Sequence, residues 1–107
     1  MLFHIHEIFL VPPQQIYARL QTHGRLIPEG LEYISSWVSD DLKHCFQVME
    51  TDRRELLDEW MKRWEDLVKF EVTLVVPSAE ARARVVEMVG DGKEQEEQDR
   101  KDTEIGG

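Results

Sequence analysis

The chain has one cysteine, four prolines and six glycines in 107 residues, and only 13 Lys and Arg against 22 Asp and Glu. Each shortage excludes something. A lone Cys45 permits no internal disulfide, which fits a reducing compartment and leaves only an intermolecular bridge open. A net charge of −9 without any Lys/Arg cluster argues against nucleic acid, because phosphate contacts need a basic patch. It argues against anionic membrane surfaces for the same reason. No apolar run approaches the roughly 18 residues that span a bilayer. The apolar start, Leu2 to Val11, has no basic lead-in and no small-residue cleavage site, so it does not read as a secretory signal. The expectation is a soluble, cytoplasmic protein. The length favours one domain. A domain this small buries roughly 60–65% of the surface its unfolded chain exposes, so its core is thin and a second subunit would relieve it.

What is present is apolar patterning of two periods. Leu2 to Val11 is rich in Ile, Phe and Val and reads as a central strand. Pro12-Pro13 ends it, and Pro13 can open a helix. Ile16, Leu20 and His23 share one side of that helix, with Gly24 just past its end. Pro28-Glu29-Gly30 is a turn, in which Gly accepts a positive φ. Leu31 to Val38 and Lys43 to Thr51 are the strands of a hairpin, with Ser39 to Leu42 between them. Asp52 and Glu55 stand at capping-box spacing. Leu57, Trp60, Met61, Trp64, Leu67 and Val68 then form a helix stripe that reads as core. Asp58/Lys62 and Glu59/Arg63 are favourable i,i+4 pairs. Val68 to Val76 alternates as a strand until Pro77. Ser78 can cap a last helix, whose apolar side is Ala81, Val85, Met88 and Val89.

Residues 91–107 change character: seven acidic and three basic residues, with Ile105 the one large apolar side chain. Such a segment cannot offset its ordering entropy by burial, so it reads as an acidic disordered tail behind a single domain of residues 1–90.

The predicted order is β-α-β-β-α-β-α. Its first six elements match the ferredoxin-like pattern, an α+β fold with a four-stranded antiparallel sheet and helices on one face. The other face, carrying Trp, Tyr and Met, would not stay in water as a monomer. Two such faces packed together make a dimeric α+β barrel, so the expected partner is a second copy of the chain.

Several runs carry a family resemblance: RLIPEGLEY (Arg25 to Tyr33), Ser36-Trp37, CFQVMET (Cys45 to Thr51), WMKRWEDLVKFEV (Trp60 to Val72) and SAEA (Ser78 to Ala81). In that order they resemble the small bacterial proteins of the domain of unknown function 3303 family. The likeness covers roughly residues 1–85 and leaves out the acidic tail. It implies a ferredoxin-like domain or dimeric α+β barrel and brings no activity with it.

The candidate site is the open sheet face. With Trp37 near Cys45 across the hairpin, Tyr33, Ser35, Trp37, Cys45, Gln47 and Met49 share that face. Ile34, Ser36, Val38, Phe46 and Val48 then face the helices. A one-residue slip would exchange one strand's set. His4 and His6, two apart in a strand, point the same way and join the candidate ligand pocket: His4, His6, Tyr33, Trp37, Cys45, Gln47 and Met49. Mostly apolar walls with a few polar groups describe a small-molecule pocket. Trp, Tyr and Met are equally the composition of an interface core, the reading composition favours. The two readings are compatible.

Two imidazoles without a third ligand at a recognisable spacing are a weak metal signal, so no metal and no cofactor is assigned. Cys45 reads as a small buried hydrophobe rather than a nucleophile, since the adjacent His44 points to the opposite face. Two functions follow: a small-molecule-binding or regulatory module, or an enzyme resembling the cofactor-independent monooxygenases of this architecture, with His4 or His6 as acid or base.

Overall fold

The computed structural model describes residues 1–90, so the acidic tail lies outside the described residues. The elements run β1 (Leu2–Phe9), α1 (Pro13–His23), β2 (Glu32–Val38), β3 (His44–Glu50), α2 (Arg54–Lys62), β4 (Val68–Val75) and α3 (Ser78–Val89). The strands form one antiparallel sheet in the order β2-β3-β1-β4. This is the expected α+β, ferredoxin-like arrangement, with β1 central. The chain falls into two compact units, Met1–Val75 and a second that begins at Val76.

In the first unit the core lies between the sheet and α1 with α2. Phe3 and Ile5 point from β1 into it, Met49 from β3 and Val68 from β4, while Leu57, Trp60 and Trp64 close it from the α2 side. Ile5, Met49, Leu57 and Val68 are sealed from solvent, and burying each such side chain stabilises by about 1.5–3 kcal/mol. The Trp60 and Trp64 stripe is core, as its spacing predicts, but α2 ends at Lys62. The last residues of the stripe sit in tight turns, where the Trp64 and Leu67 amides bond to the carbonyls three residues back.

The start of α2 also differs from expectation. Arg53 stands at the cap without a side-chain cap bond, and Asp52 is fully exposed beside the N-terminus. The Thr51 hydroxyl instead accepts the Arg53 amide at 3.1 Å, and Glu55 pairs with Arg53. Of the two expected i,i+4 pairs, Glu59 with Arg63 forms at 2.9 Å, whereas Asp58 takes Arg54 at 3.2 Å.

In the second unit, Pro77 rather than Ser78 stands at the N-cap of α3, without a side-chain cap bond, and no residue of α3 is buried. Glu80 and Arg84 form an i,i+4 pair at 2.7 Å.

Candidate functional site

The faces of the hairpin are set by β1. Ile5 lies opposite Gln47, Phe3 opposite Met49 and Glu7 opposite Cys45, so those three residues of β3 face α1 and α2 with the core. His44, Phe46 and Val48 face the other way. β2 follows β3 only after a register shift between Tyr33 and Ser35, where Ile34 is the extra residue of a bulge. Tyr33 therefore shares the helix side with Met49, but beyond the bulge Ser36 and Val38 take that side and Ser35 and Trp37 the far one.

This corrects the expected shared face. Tyr33, Cys45, Gln47 and Met49 lie beneath the helices, not on the open face, and His4, His6 and Trp37 lie on the opposite side. Phe46 and Val48 likewise face away from the helices. The hairpin misleads because β3 (HCFQVME) carries apolar residues on both faces, so no alternation fixes its orientation, and the bulge inverts β2 part-way along.

Beneath the helices lies a cavity of about 130 Å³. Its apolar walls include Phe9, Ile16, Leu20, Val38, Trp60 and Trp64. Glu7, Gln47, Cys45 and Ser36 form its polar floor on the sheet. Tyr17 and Arg25, both exposed, also line it and mark where it reaches solvent. Of the candidate residues, Cys45 and Gln47 line this space. Tyr33 reaches it at second hand, through a hydroxyl bond to Ser36, and Met49 is plain core.

Glu7 is not among the site residues expected from the sequence. It is 8% exposed and accepts hydrogen bonds from the Gln47 side-chain amide and the Cys45 thiol. Burial pushes its carboxyl above the usual carboxylate range; the two hydrogen bonds and the charge of Arg25 pull the other way without cancelling it. Burial and the neighbouring carboxylate push the Cys45 thiol up to about 12. The sequence did hold a signal: Glu7 has the same strand parity as Phe3 and Ile5, a charged residue on the core side of a central strand.

Arg25 is the second missed residue. It sits in the α1–β2 loop, where Gly24 and Leu26 both adopt positive φ, 68° and 58°. Its carbonyl accepts both indole N–H groups, from Trp60 and Trp64, each at 3.0 Å. Arg63 donates to the next carbonyl, that of Leu26, at 2.7 Å. The loop is thus gripped from the α2 side, which offsets the cost of a non-glycine residue at positive φ. The Arg25 guanidinium lies 3.9 Å over the Tyr33 ring, a cation–π contact.

The far face carries a different group. His6 Nδ1 donates to the Glu71 carboxylate at 3.2 Å, and its Nε2 meets His44 Nδ1 at 2.9 Å. A carboxylate on Nδ1 makes Nε2 of the neutral ring the acceptor for the His44 N–H. His6 also stacks on Phe46, centroids 4.8 Å apart. His4 is separate from this chain and lies 6.2 Å from the Phe46 ring centroid. Both His6 and His44 point away from the face that carries Cys45, so no Cys–His pair is assembled. Among the described residues no group of three or more His, Cys, Asp or Glu is placed to hold a metal. No helix among them is long and apolar enough to cross a membrane.

An antiparallel sheet in this strand order, with two helices on one face and a polar-floored cavity between them, defines a ferredoxin-like α+β domain with an internal pocket. More particularly, residues 1–89 match the family described as Domain of unknown function (DUF3303), and the chain belongs to it. No curated protein and no solved structure matches the chain.

Proposed function

We propose that the chain is a small-molecule-binding module whose ligand sits in the cavity between the sheet and α1 with α2. The supporting observation is Glu7, an ionisable side chain buried on the polar floor of a cavity whose walls are mostly aromatic and aliphatic. Burying an ionisable group without an ion-pair partner costs stability, and pockets that orient a ligand carry such groups. The size matches a small molecule: an apolar cavity of about 150 Å³ holds a benzene ring. The test is a titration with phenol, read on the three indole N–H resonances. Saturable shifts of Trp60 and Trp64, with Trp37 unmoved, are the expected result. No movement of Trp60 or Trp64 with phenol or its carboxylated analogues up to millimolar concentration would overturn the reading.

The monooxygenase-like alternative, with His4 or His6 as acid or base on the far face, draws on the Glu71–His6–His44 chain, because a carboxylate fixes the tautomer and so the proton direction of its imidazole. Oxygen-dependent turnover without added cofactor that is lost in His6→Ala and kept in Glu7→Gln would favour it. Self-association through the same face is the second part of the proposal. Trp37, 59% exposed, stands there opposite Phe46 in the ladder, with His44 beside Phe46, an aromatic set typical of interfaces. Sedimentation equilibrium should give a dimer; a monomer at micromolar concentration would remove this part.

A further inference from the structure

The cavity has two chemically distinct ends. One is the Glu7–Gln47–Cys45 floor. The other is Arg25, which reaches solvent yet lies close enough for its charge to act on both Glu7 and Cys45. Among the described residues no acceptor hydrogen-bonds the Arg25 guanidinium, which lies over the Tyr33 ring. That contact seats the guanidinium on an aromatic face at the solvent-reaching side of the cavity. A guanidinium fixed by an aromatic face presents the fork that matches a carboxylate bidentately. Trp60 and Trp64 are the aromatic walls of the same cavity.

We infer that the ligand is a single-ring aromatic carboxylate, with its ring among Trp60, Trp64 and Ile16 and its carboxylate on Arg25 at the mouth. This deepens the proposed binding function and rests on it. The orientation follows from charge: a carboxylate at the floor would meet Glu7, whereas at the mouth it meets an arginine whose donors lack a protein acceptor. A hydroxyl on the ring opposite the carboxylate would point toward the floor, where Glu7 can accept its hydrogen. A para-hydroxyl should therefore strengthen binding, and a para-carboxylate should weaken it.

The test titrates wild type, Arg25→Gln and Arg25→Lys with benzoate, 4-hydroxybenzoate, terephthalate and phenol, again reading the Trp60 and Trp64 indoles. The indole probes survive the substitution because they are held by the main-chain carbonyl of residue 25, which any side chain leaves in place. In wild type, 4-hydroxybenzoate should bind more tightly than benzoate, and terephthalate more weakly than benzoate. In Arg25→Gln both monocarboxylates should weaken about tenfold or more, the scale of a hydrogen-bonded charge pair. Phenol should hardly change, and Arg25→Lys should recover only part of the loss. Phenol binding as well as or better than benzoate in wild type, or benzoate binding insensitive to Arg25→Gln, would overturn the carboxylate while leaving the cavity as a binding site. Silence from all four probes would overturn both.

Discussion

Gln47 donates its side-chain amide hydrogen to the carboxylate of Glu7 across the β1–β3 ladder, beneath two helices. A polar residue on the core side of a central strand is stable there because it has a partner, and each of these two is the other's partner. Cys45, directly opposite Glu7, adds its thiol to the same carboxylate.

That arrangement gives the fold a pH signature. The Glu7 carboxyl is held above its ordinary 4.5 in the native state, by burial first. The native state therefore keeps a proton that the unfolded chain releases. The stabilisation from that proton is fully present below the unfolded pKa and is lost as pH rises through the native one. Urea unfolding from about pH 4 to about pH 8 should show Glu7→Gln gaining on wild type as pH rises. Gln47→Leu removes a donor to the charged form and should make the wild-type decline steeper. A difference between wild type and Glu7→Gln that is flat across the range would contradict the assignment.

Cys45 should be a poor nucleophile in the folded protein. Its thiol is pushed from 9.0 to about 12, so its thiolate population at mildly alkaline pH is about a thousandfold lower than that of an ordinary thiol. Iodoacetamide labelling, followed by intact mass, should be slow on native protein and fast in denaturant. Equal rates in the two conditions would mean that the burial and the carboxylate contact are absent in solution.

Both indoles converge on one acceptor, the Arg25 carbonyl, so their contributions should not add. Trp60→Phe or Trp64→Phe leaves that oxygen with one donor; the double variant leaves it with none. Each single change should cost about 1–3 kcal/mol of packing and hydrogen bonding. The double variant should cost more than the sum of the two, because only then is the carbonyl stranded. Chemical denaturation of the four proteins closes the cycle, and strict additivity would show that the shared acceptor carries no energy.

Much of the fold is legible in the residues because period-two and helical patterns are strong in β4, α1 and α2, and because Pro13, Gly24, Gly30 and Pro77 punctuate it. The hairpin faces are not legible. A continuous apolar pattern in β3 leaves its orientation to be decided by pairing with β1, and the bulge at Ile34 is a tertiary adjustment with no glycine to announce it. The site follows the same logic. Cys45 and Gln47 are legible as candidate pocket residues of the hairpin, but their partner Glu7 and the loop residue Arg25 come together only through sheet pairing and the grip of α2 on the α1–β2 loop.

Two glycines separate conformational strain from crowding. Gly30 sits at φ 95°, and a Cβ there would lie 2.8 Å from Leu56 Cδ1; Gly24 sits at φ 68° with open space around it. Alanine at Gly24 should cost on the order of 1 kcal/mol through backbone strain alone. At Gly30 it should cost more, since the buried Leu56 must also move. Thermal melts that rank Gly24→Ala as the more damaging change would contradict this geometry.

Trp37 provides the final separation, between the two sides of the sheet. It is 59% exposed and pairs in the ladder with Phe46, on the side away from α1 and α2. Trp37→Asp should therefore leave the core intact, shifting stability by little more than about 0.5 kcal/mol in the monomer. If two copies meet through this face, the same change buries an unpaired carboxylate at each symmetry-related contact, and association should fall steeply. Sedimentation velocity of the variant should show the monomer at concentrations where wild type is dimeric. Phenol titration should still move the Trp60 and Trp64 indoles, because the cavity opens beneath the helices. Wild-type association in Trp37→Asp would place any self-association interface elsewhere, and loss of the indole response would tie the cavity to the far face after all.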